Sequence, residues 1–473
     1  MYKYFFKLIA GPILMVIFLY WGFLAGMEEK AAYTLGVTVW VAYWWVTEAL
    51  PIPVTSLLPM VLFPLFSVLP MDEASTAYAD KLIWLYVGGF IIALALEKWK
   101  LHIRIAKIIL LFLGSKVQKI ILGFMVACFA LSMWISNTAT ALMMLPIAES
   151  LIKRFDDKTS PGFSKALLLG VAYACSIGGM ATLIGTPTNL VFSGMVEKSF
   201  GVEISFYQWF IIGFPLSVLL LLTAWYVLIK IFKPGNGTIS LDDIKRDKAG
   251  YEEKMVLLVF NLVVFAWISR PWLIAPWAPK VDDTIIALIG ALLLFIIPSA
   301  DKTGKLMDWD TAKNLPWGIV LLFGGGLAIA KAFQVSGLAT WFGENLSLLD
   351  ALPYLVVLII VSFIVNFLTE VTSNVATASV FMPVMSGVAL AMNVHPFPLL
   401  TVVCLSASCA FMLPVATPPN AIVFGSGRLL MKDMVRAGVW LNVISVAIIS
   451  IYIYYVLGFS WGIDINIFPD QFR

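Results

Sequence analysis

The chain has 473 residues, of which 61% are hydrophobic and 12% charged, against the roughly 25% charged residues of an ordinary soluble domain. That excludes water as its main solvent. The net charge of +3, with basic residues confined to short loops without aromatic interleaving, argues against nucleic acid as a partner.

Apolar runs long enough to cross a hydrocarbon core roughly 30 Å thick recur along the whole chain. Lys3 and Lys7 precede the first, residues 8–26. It is too long for a signal peptide and lacks a small-residue cleavage site, so it is expected to remain as an uncleaved first span. Further crossings are predicted at 33–50, 52–69, 82–97, 166–198, 209–232, 255–269, 284–298, 315–331, 398–431 and 437–457, making eleven. Two other apolar regions, 117–152 and 352–391, are too long for one span and too short for two with a loop. Each has a polar break near its middle, at Ser136-Asn137-Thr138 and Thr372-Ser373-Asn374. Both are predicted to be re-entrant helical hairpins, because irregular backbone at that depth must face protein or a water-filled cavity.

This layout is an all-α polytopic membrane protein with an organisation of N-terminal spans (1–80), a first core (81–232), a cytoplasmic linker (233–254), scaffold spans (255–314) and a second core (315–473). With the N-terminus in the cytoplasm and the C-terminus outside, 24 of the 31 basic residues lie on the cytoplasmic side, as the positive-inside rule requires. Cys128, Cys175, Cys404 and Cys409 fall in apolar segments without a CxxC pair, so no disulfide framework or zinc site is indicated. His102 and His395 stand near segment ends and are read as interfacial.

The chain repeats itself. Ser136-Asn137-Thr138-Ala139-Thr140, with Pro146 beyond it, returns 237 residues later as Ser373-Asn374-Val375-Ala376-Thr377 with Pro383. Gly88-Gly89 matches the run Gly324-Gly325-Gly326, and Gly185-Thr186-Pro187-Thr188-Asn189 matches Ala416-Thr417-Pro418-Pro419-Asn420 at a distance of 231. Three matches in one order at nearly one spacing indicate duplication. Five predicted crossings separate the hairpins, an odd number, so they enter from opposite faces. Inverted repeats with broken helices and a central site are a hallmark of secondary transporters.

Ser and Asn are strong helix N-caps, and two ordinary caps would account for both Ser-Asn turns. The alternative is functional. A helix N-terminus deep in the membrane offers free N–H groups and a positive dipole end to an anion, with Asn and Thr side chains as added donors. Pro187, Pro418 and Pro419 interrupt their helices and free nearby carbonyl oxygens, which together with hydroxyls suit a bare cation such as sodium. Neither pair of motifs contains Lys or Arg, so a bound dianion needs compensation, either from cations or from dipoles and donors alone. Glu48, Glu149 and Glu370 are read as structural or interfacial rather than as proton relays.

On these motifs, and on the run TEALPIPVTSLLP from Thr47 to Pro59, the chain resembles the divalent anion/sodium symporter family over nearly its whole length. The resemblance implies a transporter of succinate, malate, fumarate, 2-oxoglutarate or citrate, usually coupled to sodium, with exchange of one carboxylate for another as the alternative. It further implies a homodimer in the cell membrane, each protomer a fixed scaffold with a moving domain that works as an elevator. The first sodium site would fall on Ser132, Ser136, Asn137 and Gly185, and the second on Thr369, Thr372, Asn374 and Ala416. Substrate contacts would fall on Asn137, Thr138, Ser373 and Asn374, with Thr186, Thr188, Thr417 and Pro418 beside them. Val375 and Thr188 depart from the commonest pattern, which has a Thr and a Pro there, leaving the preferred carboxylate open. A channel is a lesser alternative. No convergent His, Cys or carboxylate set marks an enzyme.

Overall fold

The computed structural model describes residues 2–154, 161–235, 237–238, 248–300, 303–345 and 352–472, and its regular elements are all helices. Residues 236 and 239–247 of the 233–254 linker, residues 155–160 of the basic cluster from Lys153 to Lys165, and Lys302 lie outside the described residues. Each of the eleven predicted paths carries helix, although only eight helices among the described residues are long and apolar enough to cross a bilayer by themselves. Part of the shortfall has a local cause in proline and polar breaks. The path at 52–69 is split into Ile52–Thr55 and Leu58–Leu65, and that at 398–431 into Pro396–Ala407 and Pro418–Gly425. Conversely, Asn374–Ala391 is long enough to span alone, yet it starts at a hairpin tip.

The hairpins form as predicted, from Val117–Ser132 with Asn137–Arg154 and from Tyr354–Leu368 with Asn374–Ala391. Their opposite entry is visible in the bonds at their open ends. The Val117 N–H donates to the Gly237 carbonyl at 3.0 Å, and Trp225 Nε1 donates to the Gln118 carbonyl at 3.1 Å. These bonds place the first opening beside the C-terminal end of Phe206–Phe232. The second opening is at the other end of that helix. Tyr354 Oη donates to the His395 carbonyl at 2.9 Å, the His395 N–H donates to Ile465 O at 3.2 Å, and Trp461 Nε1 donates to Gln208 O at 3.0 Å.

Ion pairs sort the same way. Lys98 with Asp308, Arg104 with Glu253 and Lys165 with Asp433 meet at 2.5, 2.7 and 2.9 Å. Each joins residues that the layout assigned to the face of the first opening. Lys81 with Glu197, Lys198 with Asp80 and Arg270 with Glu203 meet at 2.8, 2.6 and 2.8 Å on the other face. On the first of these faces Lys98 acts on its partner's titration. Its hydrogen bond holds the Asp308 carboxyl down at about 2.

Two helices escaped the sequence reading. Leu101–Leu113 and Leu338–Asn345 each follow a long helix and begin 237 residues apart. Each is turned by a left-handed residue just before it, Lys100 at φ 55° and Gly337 at φ 74°. The first buries Leu101, His102, Ala106 and Leu110, one stripe of an amphipathic helix, against the Val117–Ser132 arm. The histidines are buried rather than interfacial, at 6% exposure for His102 and 3% for His395. His395 caps its helix, its Nδ1 accepting the Phe397 N–H at 3.3 Å.

At the centre lies Pro161–Met180, almost wholly buried, packed on the first hairpin, on Phe206–Phe232 and on Pro418–Gly425. Apolar side chains gain little by leaving lipid, so such contacts depend on close backbone approach at small residues. A Cβ on Gly178 would meet the backbone of Phe129 at 2.5 to 3.0 Å.

Candidate substrate and cation site

Both hairpin tips break where the residues favour a new N-terminus. After Ser132 the first helix stops, and Ser136 O accepts the Thr140 N–H at 2.9 Å to start the second arm. Ser373, extended at ψ 131°, does the same for the second tip, its carbonyl accepting the Thr377 N–H at 2.9 Å. Behind each tip a hydroxyl donates to the first asparagine of the new helix. Ser132 Oγ lies 2.5 Å from Asn137 Oδ1, and Thr369 Oγ1 lies 2.7 Å from Asn374 Oδ1.

The facing segments are unwound, residues 181–186 between Pro161–Met180 and Pro187–Phe200, and residues 408–417 between Pro396–Ala407 and Pro418–Gly425. One asparagine pins each. Asn189 Nδ2 donates to Gly179 O at 3.1 Å and Thr182 O at 2.7 Å. Asn420 Nδ2 donates to Ala410 O and Leu413 O at 3.1 and 3.0 Å. Every partner in the second set stands 231 residues after its mate in the first. Both asparagines close the repeated motif, and the repeat spacing alone marked them, although no role attached to them in the sequence.

Glu370 has no such mate, since Met133 stands at its place in the first repeat. Its buried carboxylate accepts three successive backbone N–H groups, from Phe411 at 2.7 Å, Met412 at 2.9 Å and Leu413 at 2.9 Å, and the Asn442 amide at 2.7 Å. Those N–H groups lie where the helix has unwound, and a buried N–H without a partner costs about 1 to 3 kcal/mol. The expected structural role of Glu370 is therefore a backbone anchor.

Tips and unwound segments form one wall of an open cavity of about 640 Å³. Asn137, Thr138, Ser373, Asn374, Thr186, Thr417 and Pro418 line it, as do Ser136, Gly185, Thr372 and Ala416. Ser132 and Thr369 are fully buried immediately behind the two asparagines. Thr188 is not on the wall. It is fully buried with Oγ1 2.9 Å from Ser408 Oγ, because the turn of helix after Pro187 carries it away from the cavity. The opposite wall comes from elsewhere in the chain, from Trp45 to Glu48, Tyr86, Phe90, Ile319 and Leu322.

Among the described residues the lining contains no Lys, Arg or His, and Glu48 is its one charged residue. Four helices start at this wall instead, at Asn137, Asn374, Pro187 and Pro418. Their N-terminal dipoles make it favourable to an anion without any cationic side chain. Beside them is an oxygen-rich corner suited to a cation. Thr369 Oγ1 lies 2.7 Å from Asn374 Oδ1 and 2.9 Å from Ala407 O, and its single proton cannot serve both acceptors. A neutral oxygen set of this kind fits a hard cation.

A family description, the sodium:sulfate symporter transmembrane region, matches residues 3–465. The chain is 43% identical over 479 residues to the "Sodium-dependent dicarboxylate transporter SdcS" of Staphylococcus saprophyticus, covering 97% of this chain and 92% of that protein. It is 43% identical over 481 residues to the protein of the same name from Staphylococcus aureus strain USA300, with the same coverage. Among solved structures it resembles the Alcanivorax borkumensis YdaH transporter, with a TM-score of 0.60 at 12% identity over 81% of this chain and 86% of that one. It also resembles Neisseria gonorrhoeae MtrF, with a TM-score of 0.59 at 13% identity over 81% and 84%. At those identities the two structures speak to the fold alone.

Proposed function

The chain belongs to the sodium:sulfate symporter family, and from that premise we propose that it carries dicarboxylates such as succinate, malate or fumarate across a membrane together with sodium ions. The relatives at 43% identity, named as sodium-dependent dicarboxylate transporters, support the substrate class and the coupling. One observation carries the mechanism. The cavity is walled by both tips and both unwound segments yet has no basic side chain among the described residues. A dianion there leaves its charge to the four helix N-termini and to cations bound beside it, which ties substrate binding to sodium.

In this reading Asn137, Thr138, Ser373 and Asn374 hold the carboxylates, with Thr186, Thr417 and Pro418 beside them. Thr188 acts from behind, through Ser408. Two sodium ions take the matched corners formed by Ser132, Ser136, Asn137 and Gly185 and by Thr369, Thr372, Asn374 and Ala416. The hydroxyl-to-asparagine pairs at 2.5 and 2.7 Å support the match between the corners.

The hairpins, both broken helices, Phe206–Phe232 and Met431–Tyr452 would move as one body past a frame. The packing of Lys81–Lys98 along Asp283–Ile296 and Tyr251–Ser269 supports placing that helix with the frame, which narrows the moving part of the 81–232 unit. A homodimer in the cell membrane, with a cytoplasmic N-terminus, completes the proposal on the family resemblance and the 24 of 31 basic residues on one side.

Reconstituted vesicles test it. Labelled succinate is expected to enter empty vesicles under an inward sodium gradient and to stop entering when potassium replaces sodium. Uptake at zero sodium that requires carboxylate inside would instead establish exchange.

A further inference from the structure

Thr188 and Ser408 are both buried, and their hydroxyl oxygens lie 2.9 Å apart. Thr188 stands at the start of the first broken helix, just after Pro187, and Ser408 at the end of Pro396–Ala407. The bond therefore joins the two repeats behind the cavity wall. It is not a by-product of the duplication. The residues 231 positions away in the other repeat are Pro419 and Ile177, and neither carries a hydroxyl.

Each end of the bond adjoins one of the proposed cation corners. At the second corner, Ser408 shares a peptide group with Ala407, whose carbonyl accepts Thr369 Oγ1 at 2.9 Å, and the same Thr369 hydroxyl lies 2.7 Å from Asn374 Oδ1. Thr369 has one proton for these two acceptors. A sodium ion on Asn374 Oδ1 occupies that acceptor and directs the proton to Ala407 O, which fixes the planar peptide group that carries Ser408. At the first corner, Thr188 stands three residues after Gly185 and immediately before Asn189, whose amide donates to Gly179 O at 3.1 Å. Gly179 lies flush against that corner, since a Cβ on it would meet Asn137 Oδ1 at 2.8 Å and Gly185 O at 3.1 Å. A shift of the turn at Thr188 thus reaches the oxygens of the first corner. Cys404, one helical turn before Ser408, makes a second contact along the same route, its Sγ 3.4 Å from Asn189 Oδ1.

We propose that the Thr188–Ser408 pair is a strut that couples the two cation corners, so that an ion in one raises the affinity of the other. The inference rests on the two-sodium reading above and makes both residues positioning residues. Coupled sites strengthen one another about fivefold or more. For two sites of equal intrinsic affinity, a fivefold gain gives a Hill coefficient of about 1.4, and independent sites give about 1 or less.

Equilibrium binding of radiolabelled sodium to the full-length protein in detergent, without carboxylate, tests the strut. Binding is the proper readout because uptake that needs both ions is sigmoidal even for independent sites. The parent is expected to bind two ions with a Hill coefficient of about 1.4. Ser408→Ala and Thr188→Val each remove one hydroxyl and are expected to bind two ions with a coefficient of about 1, as is the double variant. Thr188→Ser keeps the hydroxyl and is expected to keep the parent coefficient. An unchanged coefficient in both single variants, or two ions bound independently by the parent, would remove the strut and leave the two sodium sites standing. Loss of one ion from Ser408→Ala would make Ser408 a ligand and end its coupling role. A parent that binds fewer than two ions would overturn the two-sodium reading and the strut with it.

Discussion

Asn137 and Asn374 each present an amide to the cavity while their side-chain oxygens take a hydroxyl from behind. In the proposed reading, truncation removes a donor for carboxylate and an oxygen for a cation together. A hydrogen bond to a charged group is worth about 1.5 to 3 kcal/mol, so Asn137→Ala and Asn374→Ala are each expected to lower kcat/KM for succinate about 100-fold while leaving thermal unfolding nearly unchanged. Uptake at the parent rate from either variant would refute the assignment. Glu370 calls for the opposite outcome. Glu370→Gln keeps the size but puts an NH2 group at one of the two oxygen positions, facing at least the Leu413 N–H, and removes the charge from the bonds that remain, and is expected to cost about 2 to 4 kcal/mol. A lowered melting temperature in detergent would check this, and an unshifted one would show that the anchor does not matter. The motif named both asparagines from the sequence alone. It could not name the role of Glu370, because its partners lie 41 to 72 residues away.

At the scale of elements, the unwound segments are held in shape by close helix contacts as well as by polar pins. Gly438, on Met431–Tyr452, faces the backbone of Phe411 and Met412 so closely that a Cβ there would overlap Phe411 O. Gly438→Ala must push that segment and Met431–Tyr452 apart, disturbing the unwound backbone that leads to Ala416 of the proposed second cation site. Forcing a methyl into a packed contact costs about 1 to 3 kcal/mol, and the protection that sodium gives against thermal unfolding is expected to weaken. Melting curves with and without sodium measure both effects. Broken helices were legible in the sequence because Pro187, Pro418 and Pro419 cannot continue a hydrogen-bond ladder. The helices Leu101–Leu113 and Leu338–Asn345 were not. The spacing Leu101, Ile105, Ile109 was a usable helical signal, but the basic cluster around it read as a loop.

For the whole molecule, two half-chains of opposite orientation close around one cavity, and the bonds at the hairpin openings join residues at opposite ends of Phe206–Phe232. A thiol at Lys116→Cys and one at Asn466→Cys are therefore expected to react with a membrane-impermeant reagent from opposite sides of oriented vesicles. Labelling of both from one side would dismantle the inverted arrangement.

Membrane paths, the two hairpins, the duplication and the cavity wall made by the tips and unwound segments were legible in the sequence, whereas the opposite wall, from Trp45 to Glu48, Tyr86, Phe90, Ile319 and Leu322, was not. Hydropathy, proline and an N-capping pair act over a few residues and survive being read in one dimension. Only packing shows that Thr188 turns away from the cavity and that Glu370 and the asparagine pins hold the unwound backbone. These depend on contacts between residues up to 220 positions apart, such as Thr188 with Ser408. No local pattern encodes which buried polar group finds which partner once helices pack side by side.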